Sequence, residues 1–152
     1  MGYLLDLLTE DVVQIKKHVA NRDEAISLVA EPLLKRGYIT EQYVKDCKQV
    51  AEEIGAYFVV CPGVALSHAR PSESVKKISI SILTLDEPVE FGHPDNDPVQ
   101  LVFMFAAVDG NSHIELLSDI AKLLCDESLI KKVIDAETYE QIVSYFKASQ
   151  NN

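Results

Sequence analysis

Basic side chains are scarce in this 152-residue sequence, since 14 Lys and Arg stand against 24 Asp and Glu for a formal charge of −10 at pH 7. Affinity for nucleic acid depends on clustered Lys and Arg, so this balance argues against a nucleic-acid partner. Long apolar runs are also missing, because none reaches the roughly 18–20 residues that cross a bilayer. The opening MGYLLDLLTE lacks the basic region and cleavage site of a secretory signal. We therefore expect a cytoplasmic protein.

Cysteine is rare as well, with three residues, Cys47, Cys61 and Cys125, and no CxxC spacing. An odd number without that spacing favours reduced thiols over a disulfide framework or a zinc site. Free cysteine behaves as a small buried hydrophobe, so Cys47 and Cys125 are expected to pack in the core. We expect neither a metal nor a cofactor.

The residues that are present suit one compact domain. Hydrophobic residues make up 47% of the chain, and the length lies close to the common domain size of about 100–150 residues. A chain of this size buries enough surface to fold without a disulfide or a structural metal. We expect one domain over residues 1–150 and a tail at residues 151–152.

The first half of the chain alternates strand and helix patterns. Alternation in residues 12–19 predicts a strand. Helical spacing over residues 22–37 predicts a helix that Gly37 ends. A second helix is predicted over residues 40–55, with Thr40 as its N-cap and Gly55 at its end.

Three further stretches predict strands. AYFVVCPGVAL, residues 56–66, is broken by Pro62 and Gly63 and is interpreted as two short strands joined by a kink. KISISILTL at 77–85 alternates, as a half-buried strand does, and VQLVFMFAAV at 99–108 is almost continuously apolar, as a fully buried strand is. The turn-forming residues between them predict a surface loop that carries His93.

The last third of the chain is predicted to be helical. Ser112 as N-cap with Glu115 three residues on forms a capping box, which places His113 in a first helical turn. Two shorter helices are predicted over residues 127–134 and 136–146. Mixed strands and helices with uneven alternation predict an α/β sandwich, a mixed sheet with helices on both faces.

Histidine is the residue type that suggests chemistry. His18 lies among lysines on the polar side of a strand, and an exposed position without a role is expected. His93 suits a turn cap. His113 at a helix start opposes the macrodipole, which favours an anion such as phosphate beside it. His68 follows a strand and precedes Arg70, so a helix start, an Arg and two imidazoles could form an anion site, although spacing alone leaves their convergence open.

Two segments, GVALSHARP and ILTLDEPVEFGHPDNDPVQLVFMFAAVDGNSHIELLSDIAKLL, resemble the mannitol/fructose-type enzyme IIA of the sugar phosphotransferase system (PTS), most closely its ascorbate branch. The resemblance runs from about Leu8 to Phe146. It implies a phosphotransferase that accepts a phosphoryl group on a histidine from phospho-HPr and passes it to a cysteine of a IIB component. The membrane component IIC would be an indirect partner.

The resemblance also implies roles for single residues. His68 is the implied phosphorylated residue, and His113 matches a second active-site histidine that helps to hold the phosphate. Ser67 stands where many members have Pro, and its hydroxyl could bond the ring or the phosphate. Mannitol-type members supply an arginine where this chain has Glu52 and Glu53, so Arg70 is expected to stabilise the phosphate instead.

Several alternatives stay open. A regulatory IIA homologue would use phosphorylation of His68 to control a partner protein. A metal-dependent hydrolase could use His68, His93 and His113 with Asp95 or Asp97. A non-catalytic interaction domain is a third alternative, and a homo-oligomer is compatible with each.

Two subsidiary expectations concern the surroundings of His68. His93 remains a secondary candidate for the site. An apolar rim including Val64 or Phe91 is expected around His68, because two partner proteins would have to dock there in turn.

Overall fold

The computed structural model describes residues 2–124 and 126–150. The strands are β1 Val13–Lys17, β2 Val59–Cys61, β3 Val64–Ser67, β4 Ser79–Val89 and β5 Val99–Ala106. The helices are α1 Gly2–Leu7, α2 Arg22–Lys35, α3 Glu41–Ile54, α4 Gly110–Leu124, α5 Glu127–Asp135 and α6 Tyr139–Gln150, with short 3-10 helices at Glu10–Val12 and Gly55–Phe58.

The sheet is mixed, as predicted. Its five strands lie in the order β1-β4-β5-β3-β2. The pairs β1/β4 and β3/β5 are parallel, whereas β4/β5 and β2/β3 are antiparallel. Helix α2 packs on β4 and β5 with α3 beside it, and α5 packs on the same strands with α4 and α6 as neighbours. The predicted α/β sandwich with helices on both faces is confirmed.

Strand β4 is more buried than its alternating pattern indicated. The half-buried expectation is wrong, because residues 79–85 are all buried. The polar side chains find partners inside: the Ser81 hydroxyl donates to the Val29 carbonyl at 2.6 Å, and the Thr84 hydroxyl accepts from the Lys16 N–H at 2.8 Å. An inner strand covered on both faces can therefore carry buried Ser and Thr side chains when their hydroxyls are hydrogen-bonded.

The expected kink at Pro62 and Gly63 is a full reversal of the chain. Strands β2 and β3 pair antiparallel on either side of it, and Gly63 has φ +79°, which a residue with a side chain rarely adopts. Gly37 likewise has φ +74° just beyond the end of α2, as predicted. Glycine thus marks both changes of direction.

Two helix starts differ from the prediction. Thr40 precedes α3, but its hydroxyl donates to the Ser74 carbonyl rather than capping the helix. Helix α4 begins at Gly110, and Asp109 Oδ1 accepts from the Ser112 N–H at 2.8 Å, so Asp109 and not Ser112 is the cap. The sequence pattern also gave no sign of α1.

The remaining expectations concern single residues and membrane spans. His18 is exposed and pairs with Asp86, 3.1 Å from Nδ1 to Oδ1. Cys47 is buried, as predicted, Cys61 is half-buried, and Cys125 lies outside the described residues. Among the described helices, none has the length and apolar character required to cross a membrane.

Candidate functional site

Two of the predicted site residues meet at one edge of the sheet. His68 follows β3 directly, and α4, which carries His113, begins shortly after β5. Strands β3 and β5 are parallel neighbours, so their carboxyl ends lie at the same edge. The two imidazole ring centroids are 5.7 Å apart. The strand order that produces this juxtaposition is not visible in the sequence.

Aromatic rings form the wall around both histidines. The Phe105 ring stacks on His68, with centroids 4.7 Å apart and planes inclined by 20°, and lies 5.1 Å from the His113 ring. Phe58 approaches His68 at 5.5 Å. The sequence pattern placed Phe58 and Phe105 in predicted strands, and it carries no signal that their rings would contact an imidazole.

One hydrogen bond fixes the tautomer of His68. Its Nδ1 lies 3.0 Å from the Leu66 carbonyl oxygen, which can only accept, so Nδ1 carries the proton. The lone pair is therefore on Nε2 in the neutral ring. Nε2 is the nitrogen of His68 that can act as a nucleophile.

Both imidazoles favour the neutral form. Burial lowers the pKa of His68, the bond to Leu66 opposes that effect, and the neighbouring His113 lowers the pKa further. Burial also lowers the pKa of His113. Neutral imidazoles are the competent nucleophiles, so the half-buried setting keeps His68 reactive near neutral pH.

No hydrogen bond fixes the tautomer of His113 among the described residues. Its Nδ1 is buried and accepts or donates no hydrogen bond within residues 2–124 and 126–150. Since no partner fixes the tautomer, either ring nitrogen can serve as donor to an added anion. The His113 ring lies beside His68, with the two ring centroids 5.7 Å apart.

The start of α4 offers fewer free donors than the sequence indicated. The Asp109 carboxylate accepts from the Ser112 N–H and from the Ser112 hydroxyl. These bonds, together with one from the Asn111 N–H, hold the pKa of Asp109 below its ordinary value. The helix terminus already has an anionic cap, and His113 rather than the helix N–H groups is the available donor.

Arg70 and Ser67 occupy opposite environments. Arg70 is exposed, and its guanidinium has no hydrogen bond or ion pair to any residue of the described part of the chain. Ser67 is fully buried; its hydroxyl lies near the Cys47 thiol and forms no hydrogen bond of good geometry with a described residue. Ser67 thus lies in the core, and a bond from its hydroxyl to the ring or the phosphate stays a prediction.

His93 caps its own loop. Its Nδ1 accepts from the N–H groups of Asp95 and Asn96 at 3.0 and 2.9 Å. That nitrogen is therefore not available as a metal ligand. Nowhere in the described residues do three or more His, Cys, Asp or Glu side chains form a group that could hold a metal ion. The ligand set that the metal-hydrolase alternative needs is not assembled there.

The two residues expected in an apolar rim around His68 are buried. Val64 is 0% and Phe91 is 2% exposed, so that expectation is wrong. Large apolar side chains are instead exposed on the segments that adjoin the histidines. They are Ile54 and Tyr57, which precede Phe58 in the chain, and Val108 and Ile114, which lie before and after His113 in the chain. We call these four residues the apolar rim.

Glu52 and Glu53, which stand where mannitol-type members are expected to have an arginine, provide no positive charge. Both side chains are exposed on α3, and Glu53 accepts from Gln49. A different arginine, Arg22, reaches the end of this helix from the start of α2 and donates its Nη1 to the Ala51 carbonyl at 3.1 Å. That bond ties α2 to α3.

Comparison with known proteins agrees with this architecture. Residues 6–149 match the family described as phosphoenolpyruvate-dependent sugar phosphotransferase system, EIIA 2. The ascorbate-specific PTS system EIIA component of Escherichia coli (strain K12) is 33% identical over 142 residues, which cover 92% of each chain.

Solved structures share the fold over nearly the whole chain. The mannitol-specific cryptic phosphotransferase enzyme IIA CmtB of Escherichia coli is 28% identical with a TM-score of 0.85, over 95% of this chain and 98% of that one. A chain in the Escherichia coli complex of mannitol enzyme IIA with phosphorylated enzyme IIB is 23% identical with a TM-score of 0.82, over 93% of this chain and 97% of that one. The chain therefore belongs to the EIIA 2 family of the phosphoenolpyruvate-dependent sugar phosphotransferase system, whose members are phosphotransferases that carry phosphate on a histidine.

Proposed function

We propose that His68 accepts a phosphoryl group from phospho-HPr at Nε2 and passes it to a cysteine of a IIB component. The observation that carries this proposal is the Nδ1–H bond to the Leu66 carbonyl, which leaves the lone pair on Nε2 of a neutral ring. The bond from phosphorus to Nε2 forms as the bond to the donor breaks. Such a transfer needs in-line positioning and charge stabilisation more than it needs covalent chemistry from the protein.

His113 and Arg70 stabilise the transferred phosphate in this proposal. The centroids of the His113 and His68 rings are 5.7 Å apart, and an imidazole N–H of His113 can donate to a phosphate oxygen. Arg70 follows His68 by two residues and has no described ionic partner to compete with the phosphate. A guanidinium pairs with phosphate oxygens in a bidentate manner that Lys cannot reproduce.

The apolar rim is the docking surface for HPr and IIB in this proposal. Tyr57 is 77% and Ile114 is 66% exposed, and exposed apolar clusters mark interaction sites. Support comes from the mannitol enzyme IIA complex, in which a IIA component binds phosphorylated IIB. Through IIB the chain would serve a membrane component IIC, and we infer that the transfer takes place in the cytoplasm.

The transported substrate is inferred from relatives rather than from the site. The ascorbate-specific EIIA component of Escherichia coli is 33% identical to this chain. The sugar is bound by another component in such systems, so no pocket of this chain has to recognise it. We infer an ascorbate-like substrate.

Phosphorylation in a reconstituted system tests the proposal. The protein is incubated with phosphoenolpyruvate, enzyme I and HPr, and mass spectrometry of alkaline-stabilised digests locates the label. We expect one phosphoryl group on His68 and none in His68→Ala. His18→Ala is the matched control, because His18 is exposed and pairs with Asp86.

The addition of an ascorbate-type IIB component separates the alternatives. Discharge of the label to the IIB cysteine supports the transport role. Phosphorylation of His68 without discharge to IIB favours the regulatory homologue. Wild-type labelling of His68→Ala removes His68 from the proposal.

A further inference from the structure

The hydroxyl of Tyr43 bridges strand β5 and the segment that directly follows β3. Tyr43 lies on α3 and is fully buried. Its Oη accepts from the Ala69 N–H at 3.1 Å and donates to the Phe105 carbonyl at 2.7 Å. The Ala69 carbonyl oxygen is farther away, at 3.4 Å. The sequence pattern assigned Tyr43 to the apolar stripe of α3 and gave its hydroxyl no role.

Both bonded groups belong to the immediate surroundings of His68. The Ala69 N–H is part of the peptide group that joins His68 to Ala69. Phe105 carries the ring that stacks on the His68 imidazole. One hydroxyl therefore holds the backbone of His68 against the residue on which its side chain rests.

The bridge lies where the strand ladder stops. The parallel pairing of β3 with β5 ends at Ser67 and Met104, so His68 and Phe105 are the first residues beyond it. A backbone without ladder bonds is held by side chains or water. Tyr43 supplies the bond there, and burial raises the pKa of its phenol, which keeps the single proton available to the Phe105 carbonyl.

We propose that Tyr43 is a positioning residue for phosphoryl transfer, whose hydroxyl holds His68 in the stacked, Leu66-bonded conformation that leaves Nε2 as the nucleophile. This inference rests on the proposed function. Reacting atoms must meet at about 3–3.5 Å, and a misplacement of 1 Å can cost about 100-fold in rate. An unanchored His68 backbone would permit such a displacement.

The test compares Tyr43→Phe with Tyr38→Phe. Tyr43→Phe removes the hydroxyl and keeps the ring, so the core packing of α3 is preserved. Tyr38→Phe is the matched control, because the Tyr38 hydroxyl makes no described hydrogen bond and its ring contact with Lys77 survives in Phe. Circular dichroism first establishes that both variants are folded.

Two readouts decide the matter. We expect phospho-HPr to label Tyr43→Phe about 10- to 100-fold more slowly than the wild type. We also expect NMR titration to show the pKa of His68 shifted upward, because a looser imidazole loses part of its burial. Tyr38→Phe should match the wild type in both. A Tyr43→Phe protein with wild-type labelling rate and an unchanged His68 titration overturns the proposal.

Failure of the proposed function and failure of the Tyr43 proposal give different results. A wild-type protein that HPr does not phosphorylate refutes the proposed function, while the His68 titration in Tyr43→Phe still tests the anchor. If Tyr43→Phe does not fold, hydrogen exchange of the Ala69 amide in the wild type decides. Protection of that amide supports the anchor, and exchange as fast as in an exposed loop overturns it.

Discussion

At the scale of the residue, the environment of His68 sets the pH dependence of its chemistry. The neutral ring is the nucleophile, and burial lowers its pKa from the ordinary value of 6.5. The rate of phosphorylation should therefore rise with pH through a midpoint below 6.5 and be level above that value. Quenched-flow measurements of the phosphorylation rate from pH 5 to pH 8 check this prediction. A midpoint above 6.5 contradicts it.

The folding stability should also decrease toward acid pH. A lowered pKa in the folded state means that the unfolded chain binds a proton at higher pH, so stability falls as pH decreases from 6.5 through the folded-state pKa. His68→Asn removes one of these titrating groups and should reduce the acid sensitivity of the urea midpoint. A variant as acid-sensitive as the wild type would show that His68 does not contribute.

His113 should hold phosphate without carrying it. A hydrogen bond to a charged group is worth about 1.5–3 kcal/mol, so His113→Ala should slow transfer by roughly 10- to 100-fold. The side chain is half-buried near the start of α4, and the fold should be retained. Phosphorylation kinetics with phospho-HPr and discharge to IIB measure the effect. Unchanged rates in both directions remove His113 from the site.

Arg70 should matter more in the phosphorylated than in the free protein. Arg70→Lys keeps the charge and loses the bidentate fork, so transfer should slow by about one to two powers of ten while the unfolding midpoint changes little. Arg36→Lys is a suitable control, since Arg36 is an exposed arginine that pairs with Asp11. Wild-type transfer by Arg70→Lys would show that this guanidinium does not contact the phosphate.

At the scale of the element, the cap of α4 connects helix stability to the site. Asp109 Oδ1 accepts from the Ser112 N–H, and His113 is the next residue. Asp109→Ala should lower the thermal midpoint, whereas Asp109→Ser should restore most of it because Ser also caps. Thermal unfolding by circular dichroism distinguishes the two. Equal midpoints for the Ala and Ser variants would contradict the assigned cap.

Elements with a long apolar stripe could be predicted from the sequence. Which of two neighbouring polar residues caps a helix could not. Helices α2 and α3 follow from their helical periodicity, and strand β5 follows from its apolar run. Asp109 and Ser112 are both good N-cap residues, and only the observed bond selects Asp109. Six-residue α1 is too short for a pattern. The site was predictable in part. His68 and His113 could be identified as candidates from the sequence, but their proximity depends on the parallel pairing of β3 and β5.

At the scale of the whole molecule, the apolar rim should govern partner binding. Tyr57→Ser and Ile114→Ser remove exposed apolar area, so KM for phospho-HPr should rise several-fold with little change in stability. Val143→Ser is the control, because Val143 is a half-buried apolar residue on α6, which carries none of the proposed site residues. An equal effect of Val143→Ser would indicate a general loss rather than a docking surface.

The position of the phosphorus atom tests the central claim most directly. The protein is labelled with ¹⁵N on histidine, phosphorylated through enzyme I and HPr, and examined by NMR for coupling between phosphorus and the ring nitrogens of His68. The Nδ1–H bond to the Leu66 carbonyl predicts phosphorus on Nε2 of His68, with Nδ1 still protonated. Phosphorus on Nδ1 of His68, or on any other residue, would contradict the account.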